Sequence, residues 1–177
     1  MNRTTAGSRA RLAVLAVALA GLAFLAGTVL APVLEDAGRP AGGWLRILYA
    51  PACHQLPERS IAVGGGTQAV CARCSGLYVG GVAGLLAGVV LAGTGRRPRP
   101  CWLALAVAPT VLDALLPWIG LAGLPNVPRL LLAVPAGAMA ALFLAAGIAE
   151  IAGSRPRRRP PDLCVLPVTP ALEEPDG

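Results

Sequence analysis

Apolar and polar positions along the 177-residue chain are sorted into long blocks rather than alternating every second or fourth residue. Apolar stretches at about 12–31, 76–93, 101–121 and 130–152 each come close to the roughly 20 residues an α-helix needs to cross a bilayer. A stretch that is apolar on most sides suits lipid, where a helix satisfies its backbone polar groups within one segment. The pattern predicts an all-α integral membrane protein. Residues 1–152 form a four-transmembrane-helix bundle with a long first loop at 32–75, and 153–177 form a cytoplasmic tail whose Pro-rich, acidic end is disordered.

Two features inside the apolar blocks stand out. Gly76, Gly80, Gly84 and Gly88 recur every four residues in the second helix. They lay a strip without side chains along one face, where another helix backbone can approach closely. Packing within the bundle is one use of such a strip, and a homo-oligomer through the second helix is another. Asp113 is the acidic residue deep inside a predicted span, and a buried charge in lipid needs a partner. Arg129, just before the fourth helix, is the expected one, with Thr110 and Pro117 on the Asp113 face.

Composition agrees with the pattern. Hydrophobic residues make up 55% of the chain and charged ones 14%, and the mean hydropathy is +0.66, too apolar for a soluble domain of this length. All 15 basic residues are Arg, and the net charge is +6. Their placement matters more than their number. Arg3, Arg9 and Arg11 precede the first helix, Arg96, Arg97 and Arg99 fill the second connection, and Arg155, Arg157, Arg158 and Arg159 follow the fourth. Four helices put all three groups on one side, so the positive-inside rule predicts a multi-pass cell-membrane protein with cytoplasmic N- and C-termini. Arg39, Arg46 and Arg59 in the first loop run against this count, with Glu35, Asp36 and Glu58 among them. The lipid bilayer, not nucleic acid, is the expected partner of these charges. Val29-Leu30-Ala31 resembles a signal cleavage site, but an apolar run near 20 residues favours an uncleaved anchor.

Candidate chemistry lies in the first loop. It holds the single His and three of the five Cys: Cys53-His54-Gln55, a Gly64-Gly65-Gly66 turn, and Cys71-Ala72-Arg73-Cys74. The C-x-x-C spacing brings two sulfurs within reach of one metal ion or of each other, and Cys53 with His54 offers further ligands. Two readings stay open: a transition metal, zinc foremost, or thiol/disulfide exchange at Cys71 and Cys74, where Arg73 and a helix start favour thiolate. In either, Cys53, His54, Cys71 and Cys74 carry the chemistry, with Arg59, Arg73, Asp113, Asn126 and Arg129 as supporting polar residues. A different class is a non-catalytic scaffold or partner subunit whose cysteines only staple the loop. A weaker one is an oligomeric transporter using Asp113 and Arg129. Cys101 and Cys164 read as incidental. The absence of Lys excludes a Walker A loop, Gly64 to Gly66 lack the context of a dinucleotide fingerprint, and no nucleophile elbow supports a serine triad.

The run Cys53-His-Gln-Leu-Pro-Glu-Arg-Ser60, the run Val70-Cys-Ala-Arg-Cys-Ser-Gly-Leu-Tyr-Val-Gly80 and the later Asp113, Gly120, Asn126 and Arg129 together resemble the predicted membrane proteins of domain of unknown function 2085. The resemblance covers roughly residues 44–150. It implies a small multi-helix membrane protein with a Cys/His signature and brings no activity with it.

Overall fold

The computed structural model describes residues 3–91, 98–121 and 123–153. In chain order its elements are α1 (Arg3–Asp36), α2 (Ala41–Tyr49), β1 (Ser60–Val63), β2 (Gly66–Cys71), α3 (Ala72–Leu91), α4 (Pro100–Leu115) and α5 (Asn126–Gly153), with 3-10 turns at Pro57–Arg59 and Leu116–Ile119. Among the described residues four helices are long and apolar enough to cross a membrane: Gly7–Asp36, Ala72–Leu91, Pro100–Ile119 and Asn126–Ala152. They match the four apolar blocks. Arg96, Arg97, the arginines from Arg155 to Arg159, Cys164 and the tail from Ser154 lie outside the described residues.

The helices begin earlier than hydropathy places them, because a helix continues through polar residues as readily as apolar ones. Starting α3 at Ala72 rather than Gly76 puts Arg73 and Cys74 in its first turn. Starting α5 at Asn126 rather than Leu130 does the same for Arg129, and Pro128 is tolerated there because first-turn N–H groups have no helical acceptor. At its other end α4 tightens at Leu116 into a 3-10 turn that Gly120 closes with a left-handed φ of 76°.

The first loop corrects the all-α expectation. Its second half is a two-stranded antiparallel hairpin in which Val63 pairs with Gly66 across Gly64-Gly65. Gly64 has φ 59°, the left-handed value that the first central position of a two-residue hairpin turn demands. Strands of four and six residues are too short to show in the hydropathy pattern, which registers only the turn. The hairpin packs on the end of α1, where Gly65 leaves no room for a side chain beside Asp36 and Gly66 abuts Pro32. The first half of the loop is α2. Arg46 donates its Nε to both carboxylate oxygens of Glu35 on α1, at 2.7 and 2.8 Å, and its Nη2 to Thr67 O at 2.7 Å. Tyr49 donates its hydroxyl to Phe24 O at 2.7 Å, in space that Gly27 leaves vacant. Burial raises the Tyr49 pKa, which keeps that donor protonated.

The glycine strip decides how the helices pack. A methyl group at Gly76, Gly80 or Gly84 would overlap the carbonyl oxygens of Leu130, Val134 or Ala138 on α5, and one at Gly88 would overlap Ala145. Contacts advance together along both chains, so α3 and α5 run parallel with their backbones touching. An oligomer formed through this strip would have to displace α5. Val14 and Ala18 of α1 complete the layer against Leu85, Ala141 and Ala145. α4 packs chiefly on α5, where Thr110 donates its Oγ1 to Leu132 O at 3.0 Å. Its exposed Leu105, Leu112 and Trp102, and Trp118 in the 3-10 turn that follows, suit lipid. Roughly 25 Å of helical rise separates the two tryptophans, close to the span between the aromatic belts at the two membrane interfaces.

Gly80 and Gly81 give a paired test. A methyl group at Gly81 would enter open space, so Gly81→Ala should be neutral or stabilise by about 0.5–1 kcal/mol. Gly80→Ala should cost about 1–3 kcal/mol through overpacking, read as a lower melting temperature in detergent.

A candidate thiolate centre at one end of the bundle

The N-termini of α3 and α5, the C-terminal end of α4, the end of α1 and the hairpin all meet at one end of the bundle. There the chain brings three of the four proposed ligands together. The sulfurs of Cys53, Cys71 and Cys74 lie within 4.8 Å of one another. Cys53 is buried, the other two are half-buried, and all three are free thiols. Each comes from a different local structure: Cys53 from the turn after α2, Cys71 from the last residue of β2, and Cys74 from the first turn of α3.

Local backbone explains why the sulfurs converge. After α2, the N–H groups of Ala52 and Cys53 both bond to Tyr49 O and turn the chain inward. Gln55 then adopts φ 55°, the one left-handed non-glycine among the described residues. That unfavourable conformation aims the Gln55 N–H back at Cys53 Sγ, at 3.5 Å. The Gln55 side chain holds it there by donating to Arg46 O at 2.7 Å. From the other side the Cys71 N–H donates to the same sulfur at 3.2 Å. Two backbone N–H groups thus hold the Cys53 sulfur in place. The Cys71 thiol is pulled down to about 5, most strongly by the hydrogen bond from the Cys74 thiol. Burial opposes this, while the Cys74 N–H, the Cys53 thiol and the Arg73 N–H assist it.

His54, the fourth proposed ligand, stands outside this close group. It is exposed, whereas its neighbour Cys53 is buried. It does line the cavity beside the sulfurs, a space of about 400 Å³ that Arg59, Arg73 and Arg129 also line.

The supporting polar residues form a tie in which Arg73, not foreseen as a partner of Asp113, is the main member. Asp113 is 2% exposed, and its Oδ2 accepts from Nε of Arg129 at 3.2 Å. The same oxygen accepts from Nε of Arg73 at 3.2 Å and from Arg73 Nη2. One carboxylate oxygen on α4 thus joins the first turns of α3 and α5. A signal for this was present: Arg73 starts a lipid-facing helix, where a cation also needs a counter-charge. Asn126 donates its Nδ2 to Ser60 O at 3.0 Å and to Glu58 O at 3.3 Å, which ties α5 to the hairpin instead of facing the sulfurs. Ser75 donates to Gln68 Oε1 at 2.8 Å and locks the β2 to α3 junction that carries Cys71 and Cys74.

Helices that can cross a membrane, capped by an inward-folded loop with three converging thiols, define a membrane protein with a thiol group at one end. The chain belongs to the family described as predicted membrane protein (DUF2085), whose model matches residues 53–143, from the first cysteine of the group into α5. It is similar to an uncharacterized protein of Methanocaldococcus jannaschii, at 31% identity over 115 residues that cover 60% of this chain and 74% of the relative. No solved structure matches the chain significantly.

Losing one guanidinium leaves Asp113 the other, so Arg73→Gln and Arg129→Gln should each be milder than the double variant. The double variant leaves a buried, unpaired carboxylate and should cost about 3–5 kcal/mol, seen as loss of folded protein in detergent. For Cys71, thiolate is the reactive form, so lowering its pKa keeps it reactive at lower pH. Iodoacetamide labelling of the metal-free reduced protein at Cys71 should remain fast at pH 6 to 7, whereas a midpoint near the ordinary thiol value of about 8.5 would contradict the geometry.

Proposed function

We propose that Cys53, Cys71 and Cys74 bind one transition-metal ion, zinc by its affinity for thiolate, in a membrane protein whose loop folds to present that ion at the end of the bundle. The observation that carries this reading is the convergence of three sulfurs within 4.8 Å. Tetrahedral zinc with bonds of about 2.3 Å needs sulfurs roughly 3.8 Å apart, so small side-chain rotations suffice. The N–H groups aimed at Cys53 Sγ hold that sulfur facing the other two. Three protein ligands leave a fourth position, which His54 or a ligand in the adjoining cavity can fill. An open fourth position is the arrangement of a reactive rather than a purely structural zinc site.

A second reading has its own support in the Cys71 thiolate and the Cys74 thiol hydrogen-bonded to it. Cys71 would attack a partner disulfide and release one partner thiol. Cys74 would then displace the second, leaving a Cys71–Cys74 disulfide and a fully reduced partner.

We place both termini in the cytoplasm on the distribution of Arg residues, with residues 1–152 as the membrane domain and 153–177 as a cytoplasmic tail. The thiol end then faces the extracytoplasmic side, where an oxidising environment favours sulfurs held by metal or disulfide over free ones.

Elemental analysis of the purified full chain should find close to one zinc per chain. Cys71→Ser and Cys74→Ser should each abolish binding, while His54→Ala should retain it. Failure to bind zinc even after reduction and reconstitution would remove the metal reading, and thiol counting before and after reduction would then decide the redox one.

A further inference from the structure

We propose that the cavity beside the sulfurs is an anion subsite in which Arg59, Arg73 and Arg129 receive a phosphate-class oxyanion and present it to the cysteine wall. This names the ligand class of the site proposed above. It rests on that reading for the role of the sulfurs, and not for the binding itself.

The cavity, at about 400 Å³, is large enough for a small molecule or a headgroup. Three guanidinium groups line it, and among the described residues no carboxylate does. The carboxylate that engages two of them, Asp113, is almost fully buried and does not line the cavity. Because Arg73 and Arg129 share one Asp113 oxygen, their combined charge is only half neutralised. Arg59, which makes no ion pair with Asp113, adds a further positive charge. Even with Cys71 as a thiolate the cavity keeps a positive excess.

Geometry strengthens this excess. Parallel packing sends the N-terminal ends of α3 and α5 to the same end of the bundle, and their dipoles favour an anion there. Asp113 also fixes Arg73 and Arg129 in advance, which lowers the ordering cost of binding. Guanidinium forks match the paired oxygens of a phosphate, and several of them around one cavity suit a group with more than one negative charge. The phosphate can be free, part of a small molecule, or part of an anionic lipid headgroup, since the site sits where the helices end.

The test is calorimetric titration of the full chain with inorganic phosphate in nanodiscs of zwitterionic phosphatidylcholine, with zinc content measured on the same samples. Wild type should bind saturably, and Arg59→Gln should bind about tenfold more weakly, as expected for the loss of one charge-assisted contact. Arg59 is exposed and outside the Asp113 tie, so the variant should melt at the wild-type temperature. In phosphatidylglycerol nanodiscs, loss of phosphate binding identifies the lipid headgroup as the occupant, and retention identifies a soluble phosphate. No saturable binding by wild type, or equal binding by Arg59→Gln, overturns the inference. Phosphate binding without zinc removes only the metal reading, and zinc without phosphate binding removes only this one.

Discussion

Backbone contact between α3 and α5 is the constraint on which the rest of the molecule depends. Two helices can approach that closely only where side chains are missing, and Gly76, Gly80 and Gly84 supply the gap for the carbonyls of Leu130, Val134 and Ala138. In lipid there is no hydrophobic force between helices, so this dense contact is a main source of helix association. Because the two helices run parallel, it also sets their first turns side by side. Arg73 and Arg129 are thereby brought close enough for one buried carboxylate on α4 to bind both.

That ion tie does two jobs at once. It fastens α4, which otherwise meets the bundle mainly along α5, and it fixes two of the arginines that line the cavity. A charge buried in lipid is costly unless paired, so Asp113 holds its partners firmly. The thiol group is built on the same platform. Cys74 rides on the first turn of α3, Cys71 on the strand running into it, and Cys53 is pressed in by α2 through Tyr49 and Arg46. Strain at Gln55 is tolerated because its side chain and its neighbours hold it there, and the result is an N–H directed at a sulfur. Stability and chemistry therefore meet in the same few residues.

Segment length and hydropathy were enough to count the spanning helices, because lipid accepts a helix only when nearly every side chain along it is apolar. The same property made Asp113 visible as an anomaly and Arg129 its natural partner. The C-x-x-C spacing and the Cys53-His54 pair pointed to the loop in which the sulfurs converge. Local sequence also marked the turn at Gly64, since few residues but glycine adopt its backbone angles easily.

What the sequence left open was decided by contacts between residues distant along the chain. Arg73 reaches Asp113 across 40 positions, Cys53 accepts the Cys71 N–H across 18, and the short hairpin exists because it docks on α1. Hydropathy carries no information about such pairings. Nor does it say which of two adjacent residues is buried, and here it is Cys53 and not His54. The sequence alone determined that this chain belongs in a membrane and which residues are candidates for its chemistry. Tertiary structure chose three of the four Cys and His candidates to stand together, because side-chain direction is set by packing and not by spacing.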